Sequence, residues 1–154
     1  MTTVSDTTAV TTLLKVGRVD LLARLFGQVF IPPAVEHELK QHHGVIPACC
    51  VVQGVADSEL LRRLLTQADP GEAEAICLAV ETGADALLID DKKGRRLAEA
   101  EGVRCLGLPA LVLAAHQRQL FPSLPAFLDL IAQQGNYCLS ARARAELLRL
   151  AGHS

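Results

Sequence analysis

Short runs of β-prone apolar residues alternate along the chain with longer stretches whose apolar positions recur at helical spacing. The runs "TVS", "QVFI", "CCVVQGV", "DALLI" and "VRCL" read as strands. Between them, "GRVDLLARLF", "DSELLRRLLTQ", "EAEAICLAVETG" and "GRRLAEAEG" carry the three-and-four spacing of helices. Two further helices are expected at the C-terminus, one after Ser123 and one after Ser140, each begun by a residue type that caps helix starts. Strands alternating with helices need crossover connections, and these give a largely parallel sheet with helices on both faces. The expected fold is therefore α/β: a single domain over residues 1–154, three-layer α/β/α, with a central parallel sheet and a helical C-terminus. Ligands of such sheets bind beyond the carboxyl ends of the strands, so the residues that follow each strand are where chemistry is expected.

Composition narrows the classes. Half of the 154 residues are hydrophobic and about a fifth charged, as in ordinary globular proteins. Phe26, Phe30, Phe121, Phe127 and Tyr137 are the aromatic residues, so the core is mostly aliphatic and base stacking on aromatic platforms is not expected. The formal net charge of -2 gives no global attraction to nucleic acid or to an anionic membrane, and polyanion binding would need a local basic patch. No run approaches the roughly 18 apolar residues of a spanning helix. "MTTVSDTTAV" lacks the basic start and apolar middle of a signal peptide, and a cytoplasmic location without membrane association is expected. The five cysteines are odd in number and include no C-x-x-C pair. Cys77, Cys105 and Cys138 read as small core residues, while Cys49 and Cys50 would point to opposite sides of a strand. His42 and His43 are neighbours, and His37, His116 and His153 have no ligand spacing, so no soft-metal site is expected.

The acids at element ends change the picture. Asp6 follows "TTVS" and would cap the helix "TTAVTTLLK". Asp90 and Asp91 follow the "DALLI" strand, where one cap explains one aspartate; two adjacent carboxylates repel unless a cation lies between them. Glu72 is the third helical residue after the N-cap Asp69 and Pro70, the position of a capping-box glutamate. It nonetheless heads a helix that is apolar almost all round, beside Ala75, Ile76 and Ala79. In "IPPAVEHELK", Glu36 and Glu38 flank the inward Val35 and Leu39 at similar angles, and helical geometry does not choose between them.

"VSDTT", "IPPAVEHEL", "DPGEAEAICLA" and "LLIDDKKGRRLAEAEGV" occur in the order and spacing of the PIN-domain superfamily. The chain resembles its branch of small prokaryotic, predicted nucleic-acid-binding PIN-fold proteins related to VapC-type toxins, and the tail "GNYCLSARARAELLRLAG" extends the similarity over nearly the whole chain. The resemblance implies an acidic site at Asp6, Glu38, Glu72 and Asp91 with Asp90 beside it, so that Glu38 is favoured over Glu36. It implies further a Mg2+-dependent or Mn2+-dependent ribonuclease acting on RNA, a homodimer, and a small antitoxin protein as partner. The chain departs from the branch at "GLPALVLAAHQRQ", with Pro109 in a turn where relatives carry Gly-Thr and His116 in place of a lysine.

Mg2+ prefers oxygen ligands and keeps several waters, which a few convergent carboxylates allow. Asp6 and Asp91 are expected as the main metal ligands, with Glu72 and Asp90 completing the metal set and Glu38 or Glu72 orienting the attacking water. Lys92, Lys93 and Arg95, just beyond Asp91, are expected to hold RNA phosphates, Arg95 being chosen over Arg96 on the family pattern. The alternative is a catalytically weak or inactive PIN-fold module that binds nucleic acid or regulates. A receiver-like or phosphohydrolase domain is disfavoured, because Thr7 and Thr8 follow Asp6 where an Asp-x-Asp would stand and no lone lysine ends "VRCL".

Overall fold

The structure is a computed structural model that describes residues 1–152; His153 lies outside the described residues. Strands β1 (Thr3–Ser5), β2 (Val29–Ile31), β3 (Cys50–Val52), β4 (Ala86–Leu88) and β5 (Cys105–Leu106) form one parallel sheet in the order β3-β2-β1-β4-β5. They are the five expected strands: β1 matches "TVS" in full and the other four are trimmed to two or three residues. Alternation along the strands sends side chains to both faces: Val4, Leu87 and Ile89 enter one apolar cluster, and Val29, Ile31 and Leu88 the other. A parallel sheet is buried on both sides, which is why these runs are apolar at successive positions.

Helices α1 (Thr7–Lys15), α2 (Asp20–Phe26) and α3 (Pro33–His43) cover the second of these faces with Leu13, Leu21 and Leu39. The C-terminal helices α7 (Leu108–Gln117), α8 (Leu124–Gln133) and α9 (Ala141–Leu150) join the same cluster through Leu111, Leu128 and Leu147. Helices α4 (Glu59–Leu65), α5 (Pro70–Thr82) and α6 (Lys92–Ala100) cover the other face with Leu64, Ile76 and Ala98. The result is the expected three-layer α/β/α arrangement. The last two helices begin where expected: Ser123 Oγ accepts from the Ala126 amide at 3.3 Å and Ser140 Oγ from the Ala143 amide at 3.0 Å.

The cysteine expectation is corrected in part. Cys77 is buried, but Cys105 is only half-buried and Cys138 is exposed, because Cys138 lies in the irregular segment between α8 and α9 and not in an element with an inward face. Burial pushes the Cys50 thiol up to about 12 and those of Cys77 and Cys105 up to about 11, which makes them poor nucleophiles and poor metal ligands. Among the described residues no helix is long and apolar enough to cross a membrane.

Strand order fixes where a ligand can sit. From β1 the chain builds outward through β2 and β3, then returns to place β4 against the free side of β1 and continues to β5. Connections leave in opposite directions at the carboxyl ends of β1 and β4, and a crevice opens there. The β1–β4 pairing runs Thr3 to Ala86, Val4 to Leu87 and Ser5 to Leu88, and the Asp6 amide extends it by donating to the Leu88 carbonyl at 2.9 Å. Asp6 is thereby fixed beside the segment carrying Asp90 and Asp91.

Candidate functional site

Asp6 occupies the N-cap position of α1 in extended conformation, yet its side chain makes no capping hydrogen bond, contrary to the simple cap reading. It is 7% exposed. Burial pushes its carboxyl up to about 7; the Thr7 backbone N–H offsets part of this, and the nearby carboxylates of Asp69, Glu38 and Asp90 add to it. Among the described residues Asp6 has no ion-pair partner, and the Thr7 backbone N–H is what works against the rise.

Glu72 lies opposite, on the first turn of α5. Its amide donates to Asp69 Oδ1 at 2.9 Å, so the expected cap at Asp69 is present. The Glu72 side chain turns towards α6, where Oε2 lies 2.8 Å from the point at which a Gly94 side chain would begin. Burial again leads the forces on its carboxyl, followed by Asp69, Asp6 and Asp91, and together they push it up to about 8.

The structure separates Glu36 from Glu38. Glu36 Oε2 pairs with Lys40 Nζ at 3.0 Å along the outside of α3. Glu38 instead accepts a hydrogen bond from the Thr7 hydroxyl at 2.8 Å, with its other oxygen 2.6 Å from the Cβ position of Gly71. Glycine at 71 and at 94 is what lets the two glutamates approach the first turns of α5 and α6.

Asp90 and Asp91 have different partners. Asp91 is the N-cap of α6, its Oδ2 accepting from the Gly94 amide at 2.9 Å. Asp90 Oδ1 takes the Leu108 amide at 2.8 Å, at the start of α7, and the Tyr137 hydroxyl at 2.7 Å. The "GLPAL" turn is thus pinned to the end of β4 through Asp90. Of the basic residues, Arg95 is half-buried and leans over Gly107, Nη1 being 3.7 Å from that residue's Cβ position. Lys92 and Lys93 are exposed at the start of α6.

The structure therefore brings Asp6, Glu38, Glu72, Asp90 and Asp91 to one edge of the sheet, with the first turns of α1, α5 and α6 aimed at it. Asp69, Thr7, Gly71, Gly94 and Tyr137 belong to the same neighbourhood, although the sequence assigned them no role beyond Asp69's cap. A glycine in the first turn of each of two helices, where alanine would be about 1 kcal/mol better, was the available signal.

The donor set consists of carboxylate oxygens, the chemistry of a hard divalent cation such as Mg2+ or Mn2+. Among the described residues no group of three or more His, Cys, Asp and Glu side chains is drawn together closely enough to hold an ion by itself.

A family model described as a PIN domain matches residues 2–153. No curated protein and no solved structure matches the chain.

Proposed function

Since the chain belongs to the PIN-domain family, a nuclease-type fold, we propose that it is a Mg2+-dependent or Mn2+-dependent endoribonuclease built as one domain over residues 1–154. The observation that carries this reading is the convergence of Asp6, Glu38, Glu72, Asp90 and Asp91 at the carboxyl ends of β1 and β4, where burial and neighbouring carboxylates push Asp6 and Glu72 up to about 7 and about 8. Asp6 and Asp91 are the main metal ligands, and Glu72 and Asp90 complete the set directly or through waters. A bound divalent ion supplies a more acidic water and neutralises charge on the phosphate. Glu38, oriented by the Thr7 hydroxyl, holds the attacking water in line and accepts its proton. Arg95, with Lys92 and Lys93, holds phosphates of the RNA near the acids, which positions the strand without reading its sequence.

The chain is further read as a cytoplasmic toxin component: a homodimer held in check by a small antitoxin protein. The product of a short neighbouring reading frame that binds the chain and blocks cleavage would bear this out. The test of the nuclease itself is cleavage of RNA in Mg2+ or Mn2+ by the wild type, by Asp6→Asn and by Asp91→Asn. Loss of cleavage in both variants with the fold retained is expected; undiminished cleavage overturns the assignment. A second reading, RNA binding without turnover, is favoured by the engagement of Asp90 and Asp91 in structural hydrogen bonds. RNA binding that persists in chelator, with no cleavage in either metal, would select it.

A further inference from the structure

Adjoining the acid cluster, a cleft of about 450 Å³ opens between α1, the end of α3 and the turn between α8 and α9. We propose that it is the subsite for the ribose and phosphate of the nucleotide adjacent to the scissile phosphate, a site that tells RNA from DNA. This rests on the nuclease reading for its register, since the cleft shares Thr7 and Glu38 with the acid site.

The wall contributed by α1 is unusual for a helix surface. Thr8, Thr11 and Lys15 stand three and four residues apart on one face and present two hydroxyls followed by an ammonium. Opposite them, at the end of α3, lie His42 and His43, and Thr11 Oγ1 is 2.8 Å from His43 Nε2. Charge therefore differs along the cleft, from the Glu38 carboxylate at one end to the Lys15 ammonium at the other, with His42 and His43 on the facing wall. An anionic strand with one phosphate at the acids finds compensation for its next phosphate at the Lys15 ammonium, with the His43 ring beside it as a hydrogen-bonding partner. Partial burial, His42 and Lys15 lower the His43 pKa, and a phosphate placed there would oppose the effect of these two neighbours.

The third wall is held firmly. A Cβ on Gly135 would meet the Ile131 carbonyl at 2.7 Å and Thr12 Cγ2 at 2.9 Å, so the turn is packed against α1. Asn136 follows in the left-handed conformation, φ 52°, and Tyr137 is anchored by its hydroxyl to Asp90. The Tyr137 ring is anchored and the His43 ring is engaged by Thr11, while the lining offers the hydroxyls of Thr7, Thr8 and Thr11 and the Asn136 amide. Such groups both donate and accept hydrogen bonds, which is what recognition of a ribose 2′-hydroxyl requires.

The test is binding of a fluorescent single-stranded oligonucleotide, as RNA and as DNA of the same sequence, to the full chain in chelator across a range of salt. Lys15→Gln combined with His43→Gln should weaken RNA binding about tenfold and lower the salt slope by about 0.7, for the one cation lost at Lys15. Lys15→Arg should retain the wild-type slope. Thr8→Val with Thr11→Val should remove the preference for RNA while thermal melting shows the fold intact. Unchanged affinity and slope in the Lys15 and His43 variants, no preference for RNA in the wild type, or no RNA binding at all would each overturn the assignment. Because the measurement needs no turnover, its failure is distinguishable from that of the nuclease reading: a protein that cleaves RNA yet ignores these substitutions has the nuclease without the subsite.

Discussion

Oε1 of Glu38 lies 2.6 Å from the point where a side chain on Gly71 would begin, closer than a Cβ can be approached without movement. The contact is with the end of a flexible side chain, and alanine in a helix is about 1 kcal/mol better than glycine. Gly71→Ala should therefore leave stability within about 1 kcal/mol of wild type and displace the Glu38 carboxylate from the Thr7 hydroxyl. RNA cleavage should fall at least about tenfold, because catalytic groups tolerate little misplacement. At Gly94 the outcome differs: the added methyl meets Glu72 Oε2 and also Ile89 Cδ1, both at 2.8 Å, and Ile89 is 1% exposed. Overpacking of a filled core there should cost about 1–3 kcal/mol in addition to activity. Urea titration alongside cleavage separates the two cases, and full cleavage by Gly71→Ala would remove Glu38 from the reacting set.

Metal-free stability should depend on pH in a direction opposite to that of a protein held by salt bridges. A carboxyl whose folded pKa is raised binds its proton more tightly in the folded state. Its stabilisation is complete below the unfolded values of 3.8 for Asp6 and 4.5 for Glu72, and is lost as pH rises through about 7 and about 8. In chelator the chain should melt higher near pH 5 than near pH 8. Asp6→Asn should flatten this dependence and raise the melting temperature at pH 8 by on the order of 5 °C. Added Mg2+ should stabilise the wild type more at pH 8 than at pH 5, since the ion competes with protons for the same oxygens. A melting temperature that climbs from pH 5 to pH 8 in chelator would contradict this account.

Much of this was legible in the chain. Five apolar runs separated by helical spacing specify a parallel sheet, and the strand-end rule points to Asp6 and to the Asp90–Asp91 pair. Strand length was harder to read, because in "CCVVQGV" the strand is Cys50–Val52, Cys49 and Gln53 each add one backbone hydrogen bond to β2, and Gly54 and Val55 leave the ladder. The Glu36 and Glu38 tie could not be broken by the inward face of α3 alone, since what engages Glu38 is Thr7, 31 residues away, whereas Glu36 pairs with its i+4 neighbour Lys40. Nor could the division of labour between Asp90 and Asp91 be read locally: Asp90 is claimed by Leu108 and Tyr137, 18 and 47 residues distant. Cys138 failed for a related reason, because apolar neighbours in sequence do not make an inward face where the backbone is irregular.

Asp90 ties three segments together through one oxygen, and its substitutions should divide accordingly. Asp90→Ala leaves the Leu108 amide and the Tyr137 hydroxyl without their acceptor and should cost about 1–3 kcal/mol. Asp90→Asn keeps an acceptor oxygen and should cost less, while Tyr137→Phe removes one hydrogen bond worth about 1 kcal/mol. A double-mutant cycle of Asp90→Ala with Tyr137→Phe should show coupling above about 0.5 kcal/mol, since both changes remove the same bond. Additive losses would mean that the Tyr137 bond contributes nothing in solution.

Asp91 carries a cap and a proposed metal ligand on one carboxylate, and the two roles call for different chemistry. Capping of α6 through Gly94 needs only an acceptor oxygen, and asparagine and serine cap about as well as aspartate. Asp91→Asn and Asp91→Ser should keep the metal-free melting temperature close to that of wild type, or slightly above it because a like charge beside Glu72 is removed. Asp91→Ala should lose about 1 kcal/mol. Metal-dependent RNA cleavage should fall in all three by more than the roughly 10-fold to 100-fold that loss of an outer partner of a metal ligand costs. The ordering is the diagnostic: stability should follow the presence of an acceptor, whereas activity should follow the presence of a negative charge. Cleavage retained by Asp91→Ser would reduce Asp91 to the cap alone and move the metal-binding role to its neighbours.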